Sequence, residues 1–490
     1  MSTYKPHTTN RNFPELLAVA RGDQPADQLF TGGRVVNVFS GEVLSASIAV
    51  SNGFIIGMGD YEAEQVVDLN GKFIAPGLID AHVHIESAMT HPAEFARAVL
   101  PFGTTAVIAD PHEIANVLGA GGISYMLDAS RDLPLMIYYT MPSCVPATPM
   151  ETAGAVLDAE AVASLMGDER MVALAEMMNF PGVIAADPKV LAKIGAARQR
   201  GKPVDGHAPG LSGKGLNAYL LAGISSDHES VCIDEALEKL RNGMHVMIRE
   251  GTGARNLEAL LPLVTPTTAH QLMWCTDDRH PHDICGKGHI DMMVRRAIKA
   301  GIDPVTALRI GTLNPARYFG LGFVGAIAPG RRADMMVLSD LENFTVEQVY
   351  SGGVLAAQAG EMVLEPTFGN IPVPDSAMKV DTAALDFRIP AESRRVRVIE
   401  LTPGQIITRS AVMETSVKDG LAVADASRDM AKLAVVERHQ GTGNIGMGFV
   451  SGFGIQQGAL ASSVAHDSHN IVAVGVDDAD IMAAVSAVAE

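Results

Sequence analysis

Ile79-Asp80-Ala81-His82-Val83-His84-Ile85-Glu86 is the stretch on which the fold turns. It continues a short apolar run that begins at Leu78, just after Pro76-Gly77, and it delivers two imidazoles at its end. Its length and apolar character predict a buried strand. Residues two apart on a strand point to the same face, so His82 and His84 can meet one metal ion. Outward from this strand, short apolar runs alternate with amphipathic helical stretches, the pattern of βα units with a parallel sheet. The predicted strands are Leu78–His82, Thr105–Asp110, Leu135–Tyr139, Val172–Met177, Pro203–His207, Ile224–His228, Val246–Arg249 and Leu272–Asp277. Helical patterns such as Pro92–Leu100, Pro188–Arg198, Ile233–Arg241 and Asn256–Leu263 separate them. Eight such units over residues 76–320 match the ~250 residues of a closed (β/α)₈ barrel.

Helices are expected at Met292–Ala300 and Asp303–Ile310, and Asn314-Pro315 reads as an N-cap followed by proline at the first helical position. The barrel is flanked by strand-rich sequence. Before it lie Gln28–Phe30, Arg34–Val38, Ala46–Val50 and Phe54–Met58, punctuated by Gly32-Gly33, Ser51-Asn52-Gly53 and Asn70-Gly71. After it come Gly325–Ala328, Asp334–Leu338, Gln348–Tyr350 and Gly360–Leu364. Flanking segments of this kind can pair into one sheet unit, since chain ends often lie close together. Residues 1–75 with 321–372 are therefore expected to form a composite β-sandwich domain around the barrel. Pro366–Pro374 reads as a linker, and residues 373–490 as a C-terminal α+β domain with strands at Arg395–Leu401, Leu433–Arg438 and Ile471–Gly475.

Bulk properties narrow the function. Hydrophobic residues make up 47% and charged residues 19% of the 490, a compact globular profile. A net charge of −19 argues against nucleic acid or an anionic membrane as partner. Cys144, Cys232, Cys275 and Cys285 are scattered without a Cys-x-x-Cys pair, so no disulfide framework is expected. Met1–Asn10 is polar, without an apolar signal segment, and no run approaches the ~18 apolar residues of a membrane span. A cytoplasmic protein is expected.

In a parallel barrel, reacting groups gather at the C-terminal ends of the strands. Here the first strand ends in His82 and His84, the fourth carries Glu176, the fifth ends in Asp205-Gly206-His207, the sixth in Asp227-His228-Glu229 and the eighth in Thr276-Asp277-Asp278. Each residue alone has an ordinary structural explanation, as a satisfied polar group or a helix cap. Their conjunction at one end of five strands does not. The nitrogen and oxygen donors suit a divalent cation such as Zn²⁺, Mn²⁺ or Fe²⁺. Zinc deaminases with a Pro-Cys-x-x-Cys pattern are excluded, because that pattern is absent.

Pro76-Gly77-Leu78-Ile79-Asp80-Ala81-His82-Val83-His84, Asn314-Pro315-Ala316 and Gly330-Arg331-Arg332-Ala333-Asp334 together resemble the amidohydrolase superfamily. More narrowly, His84–Ser87, Ala109–Asn116, Gly206–Leu211, Cys275–Pro281 and Val464–Asn470 are similar to the bacterial adenine deaminases. The resemblance implies a (β/α)₈ barrel with a composite β-sandwich domain. It also implies a binuclear metal centre of Mn²⁺ or Fe²⁺, with Zn²⁺ as an alternative, and hydrolysis of adenine to hypoxanthine and ammonia in purine salvage. Carried onto this sequence, it implies His82, His84 and Asp277 at the first metal, His207 and His228 at the second, and Glu176 bridging them. Glu176 then stands where related enzymes carry a carboxylated lysine, and no lysine lies in Val172–Met178. Family members continue past the helix that here ends at Glu490, so the C-terminal domain is expected to be incomplete. The expected partners are small-molecule adenine and a second copy of the chain in a homodimer.

The mechanism expected from these residues makes Asp277 the proton shuttle between water and the leaving amine. Glu229 and Glu113, both just after barrel strands, are equal candidates for the acid that protonates a ring nitrogen. His112, His280, His466 and His469 are candidates for substrate contact or a lid. The competing readings are another amidohydrolase acting on a cyclic amide or a related purine, and a non-catalytic purine-binding barrel.

Overall fold

The computed structural model describes residues 12–369 and 371–490. The polar segment Met1–Asn10, and Asn370 of the expected linker, lie outside the described residues.

Five parallel strands, Leu78–Val83, Thr104–Ala109, Met136–Met141, Met171–Met177 and Val204–Gly206, form one curved sheet in chain order. Ser226–Asp227, His245–Arg249 and Leu272–Cys275 continue it. The two arcs join at both seams. Ser225 N donates to Val204 O at 2.9 Å, while Asp277 N donates to His82 O at 2.9 Å and His84 N to Asp277 O at 3.1 Å. The result is a closed eight-stranded barrel. Ile79, Ala81, Ala106, Ile108, Met136, Tyr138, Met247, Met273 and Cys275 fill its interior, and Phe319, Leu321 and Val324 pack against that cluster.

The interior position of Ile79 and Ala81 has a consequence for the histidines. Strict alternation from these two would turn His82 outward. The ladder to the second strand is irregular between Asp80 and Val83, and that shift changes the parity, as bulges beside active sites do. Both imidazoles thus enter the barrel mouth.

The helix expected to start at Asn314 instead runs Leu313–Tyr318 with Thr312 at its N-cap. Asn314 lies inside it and donates to the carbonyls of Ala269 and Leu272, both at 2.7 Å. It ties the helix to the entry of the eighth strand, a tertiary role that outranks the local cap pattern.

The flanking segments meet in a seven-stranded sheet. Its order is Glu361–Met362, Val354–Gln358, Val346–Ser351, Met335–Leu338, Phe73–Pro76, Arg34–Val36 and Val43–Ser45. A four-stranded sheet of Phe54–Met58, Ile48–Ser51, Ala26–Thr31 and Ala63–Asp68 accompanies it. Residues of the two share a core that includes Phe30, Ile48, Ile55, Ile74, Met335 and Val337. Gly325–Ala328, expected as a strand, is not one. Gly325 has φ +79°, and a Cβ there would sit 2.6 Å from Thr312 O, so the chain turns tightly over the end of the barrel.

Beyond residue 376, six strands form a mixed sheet in the order Thr408–Glu414, Arg395–Leu401, Ile445–Ser451, Met430–Val436, Ile471–Gly475 and Ala459–Ser462. The helix Asp478–Ala489 packs Ile481 and Val485 onto it, against Ala434, Val436 and Ala473. All four cysteines are free. Among the described residues no helix is long and apolar enough to cross a membrane.

Candidate metal centre

The barrel mouth collects what the strand ends supply. Nε2 of His82 and Nε2 of His84 lie 3.1 Å apart. Asp277 Oδ1 reaches both, at 3.3 Å and 3.2 Å. Glu176 divides its oxygens: Oε1 lies 3.4 Å from His84 Nε2, and Oε2 lies 2.5 Å from His207 Nδ1 and 3.2 Å from His228 Nε2. The structure therefore brings all six residues expected as ligands into one cluster, with Glu176 between its halves. Five of the six are buried, and His207 is partly exposed.

The donor set fits divalent cations on two grounds. His84 Nδ1 lies 3.0 Å from the carbonyl oxygen of Asp110, which can only accept. Nδ1 therefore carries the ring proton, and Nε2 presents a lone pair to the cluster, the arrangement metal-binding histidines adopt. The second ground is charge. Burial pushes the Asp277 and Glu176 carboxyls up, yet both stay well below the usual carboxylate range. Arg249 and the imidazoles of His82 and His84 hold Asp277 down, and His207 and His228 hold Glu176 down. Burial lowers His84 and His228, but the same carboxylates raise both well above the ordinary histidine value. The pocket thus stabilises positive charge in a largely buried place, which a bound cation provides.

A layer of buried polar contacts aims these side chains. Asp80, wholly buried, accepts from Thr276 N at 3.1 Å and from His82 N at 3.2 Å, which couples the first strand to the eighth. Lys239, on the helix Ile233–Arg241 and wholly buried, donates to Ala208 O at 3.0 Å, Asp227 Oδ2 at 2.7 Å, Ser230 Oγ at 3.1 Å and Glu235 Oε1 at 2.8 Å. Ala208 follows His207 and Asp227 precedes His228, so one ammonium fixes both loops.

Arg249, at the end of the seventh strand, has no counterpart in the sequence reading. Its Nη1 donates to Asp277 Oδ2 at 3.0 Å and also contacts Glu229 Oε1, while Nη2 donates to Glu229 Oε2 at 3.1 Å. Its position at a strand end was the available signal. The Glu229 carboxylate is held down at about 2, against burial, by His228, His207 and Arg249.

Glu113 stands in a different environment. It is buried on the helix His112–Leu118, and neither oxygen has a hydrogen-bond partner among the described residues. Burial pushes its pKa up to about 8, reinforced by Glu86 and Asp278 and opposed by His466 and His84. His112 Nδ1 faces Asp110 Oδ2 at 3.0 Å and Glu176 Oε1 at 3.3 Å. Burial opposes its charge, yet Asp110 carries its pKa to about 10. His466 Nδ1 lies 3.3 Å from Glu113 Oε1 and its Nε2 3.3 Å from Asp278 Oδ1. His469 Nε2 lies 3.8 Å from Glu113 Oε2. His280 is exposed, just before the helix Pro281–Lys287.

Known proteins resemble this chain over most of its length. Residues 73–356 match the Amidohydrolase family, and residues 405–490 match the Adenine deaminase C-terminal domain. An adenine deaminase of Desulfatibacillum aliphaticivorans is 54% identical over 476 residues, 97% of this chain and 84% of that protein. One of Methanothrix thermoacetophila is 49% identical over 472 residues, 96% of this chain and 83% of that protein. Among solved structures, dihydropyrimidinase from Brevibacillus agri superposes with a TM-score of 0.54 at 15% identity, over 69% of this chain and 96% of its own. β-Aspartyl dipeptidase from Fervidobacterium islandicum gives a TM-score of 0.52 at 15% identity, over 72% of this chain and all of its own. At that identity the two structures speak for the fold, an amidohydrolase barrel.

Proposed function

The chain belongs to the amidohydrolase family, among its adenine deaminases, and we propose that it hydrolyses adenine to hypoxanthine and ammonia at a binuclear centre in the barrel mouth. The observation that carries this reading is the split contact of Glu176, one oxygen toward His84 and the other toward His207 and His228. One carboxylate between two donor groups is what a bridging ligand requires, and it replaces the carboxylated lysine that the fourth strand lacks. In this reading His82, His84 and Asp277 hold the first metal and His207 and His228 the second, with Glu176 shared. The mixed nitrogen and oxygen donors suit Mn²⁺ or Fe²⁺, with Zn²⁺ a close competitor.

Cations bound there supply a water that ionises near neutral pH. The protein's own groups then move the protons. Asp277 takes the proton of the attacking water and returns it to the exocyclic nitrogen as the carbon–nitrogen bond breaks, which releases ammonia. Arg249 keeps that carboxylate ionised and oriented through Oδ2. Glu113 protonates the purine ring nitrogen and is reprotonated by the water's second hydrogen as the carbonyl forms. It is preferred to Glu229 because Arg249 occupies both oxygens of Glu229, whereas Glu113 sits buried, with a raised pKa and both oxygens free of hydrogen bonds.

The test is ammonia release over a panel of purines and cyclic amides, with Mn²⁺, Fe²⁺ or Zn²⁺ added separately to metal-free protein. Release from adenine with at least one metal is expected. Opening of a cyclic amide in its place, or no turnover with any metal, would overturn the assignment.

A further inference from the structure

Building on the reading of Glu113 as the ring-nitrogen acid, we propose that the Ala465–Asn470 turn, far along the chain, positions that acid through His466 and His469. The active site would then be completed by the C-terminal sheet region and not by the barrel alone.

Three observations carry this. First, the turn is fixed over the barrel mouth by contacts separate from the two imidazoles. Asn470 Nδ2 donates to Thr152 O at 3.0 Å, and Gln440 Nε2 to Ala153 O at 3.4 Å, both on the loop after the third barrel strand. Within the C-terminal region His439 Nε2 lies 2.7 Å from Ser468 O, and Arg438 Nε donates to His469 O at 2.5 Å. Docking is thus already supplied elsewhere, and the two histidines are not needed for it.

Second, both histidines are aimed at one buried carboxyl. His466 spans two barrel loops, with Glu113 on one nitrogen and Asp278 on the other, both at 3.3 Å. Its ring centre lies 6.0 Å from that of His84. Asp278 is itself pinned by Ser87 Oγ, which donates at 2.5 Å. His469 comes to the other oxygen of Glu113 and is buried, and its Nε2 and both Glu113 oxygens lack a hydrogen-bond partner among the described residues. Unsatisfied buried polar atoms are rare, and three that face one another mark a place built for something that completes them.

Third, the tautomer of His469 sets its role. The Ala465 N–H donates to His469 Nδ1 at 3.1 Å, so the neutral ring carries its proton on Nε2. Burial, His466 and His112 hold the ring neutral, at about 3. A neutral imidazole arranged in this way is a donor toward Glu113 and has no lone pair left for a metal. Glu113, His466 and His469 therefore read as an oriented acid and its two donors, although their spacing would also admit an ion. A ring nitrogen facing each oxygen, at 3.3 Å and 3.8 Å, restricts the rotation of the carboxyl, which is the freedom a proton donor must lose.

The test uses the full-length, metal-loaded chain. His469→Leu removes the donor, while His469→Gln keeps a side-chain N–H at a similar reach. His469→Leu is expected to lower kcat roughly tenfold to a hundredfold, part of the ~10²–10⁴ that a positioned acid contributes. KM and metal content should stay near wild type, and His469→Gln should recover most of the rate. In a Glu113→Gln background, His469→Leu should cost nothing further. His466→Asn, at an exposed position, should show the same dependence on Glu113 and serves as the second probe if His469→Leu folds poorly by thermal melt. Full activity of His469→Leu and His466→Asn overturns the proposal, as does a loss that persists undiminished on top of Glu113→Gln. Full activity of Glu113→Gln alone instead removes the assignment of Glu113 as the acid, so the two failures are distinguishable.

Discussion

Asp277 holds three partners with two oxygens, two imidazoles on Oδ1 and a guanidinium on Oδ2. Replacing it by Asn preserves shape and most polar contacts but removes the basicity that proton transfer requires. Asp277→Asn should retain bound metal by elemental analysis while kcat falls by at least ~10²–10³. Near-normal turnover would rule out the proton-shuttle assignment. Glu113 gives a pH prediction whose sign follows from its raised pKa. The acid form persists below about 8, so kcat should decline as pH rises through that value. Glu113→Gln should abolish this alkaline limb in a pH–rate profile, and an unchanged limb would assign it to another group. At this scale the clustering of the six residues expected as ligands was readable because each occupies a strand end and carries a donor. Arg249 escaped because only acids and imidazoles were weighed, although it ends a strand like the others. The setting of Glu113 was not readable from its neighbours in sequence, since the groups that surround it come from Glu86, Asp278 and the distant His466.

Among the elements, the helix Ile233–Arg241 shows how packing serves the site. Lys239 is wholly buried and gives its protons to groups on the two loops that carry His207 and His228. Lys239→Met should weaken metal binding about 10–100-fold, as loss of a supporting contact behind ligands commonly does. The site that includes His207 and His228 should empty first in a metal titration. Equal loss at both sites would argue for general unfolding. Asn314 offers a stability test of the same kind. Asn314→Ala strands two buried carbonyls and should cost about 1–3 kcal/mol per lost partner by urea unfolding. The element pattern was largely legible, since all eight barrel strands fall close to where periodicity places them. The misreadings share a cause. Asn314-Pro315 looked like a cap, and Gly325–Ala328 looked like a strand, because local preference cannot see the strand entry or the helix each of them packs on. Val354–Gln358 was missed although Gly352-Gly353 before it is a hairpin signal.

For the whole molecule, the cations and the fold are linked. A metal that binds the native but not the unfolded chain stabilises it by mass action, ~2.7 kcal/mol at a hundredfold excess over Kd. Chelation should therefore lower the melting temperature together with activity, and adding back metal should restore both. Loss of activity with an unmoved melting curve would place the metals outside the folded core.

The sheet that joins Phe73–Pro76 to Met335–Leu338 has a further consequence, for the order in which the protein can assemble. Phe73–Pro76 leads directly into the first barrel strand, yet its antiparallel neighbour lies more than half the chain length away. Such distant pairing slows folding, because a long loop must close before it is rewarded. During synthesis from the N-terminus, His82 and His84 leave the ribosome long before Asp277, which seals their strand into the ring, and before Met335–Leu338, which anchors its base. The two histidines proposed as the first metal's ligands are thus among the last residues of the site to be locked in place, and metal capture is expected as a late event in the life of the nascent chain.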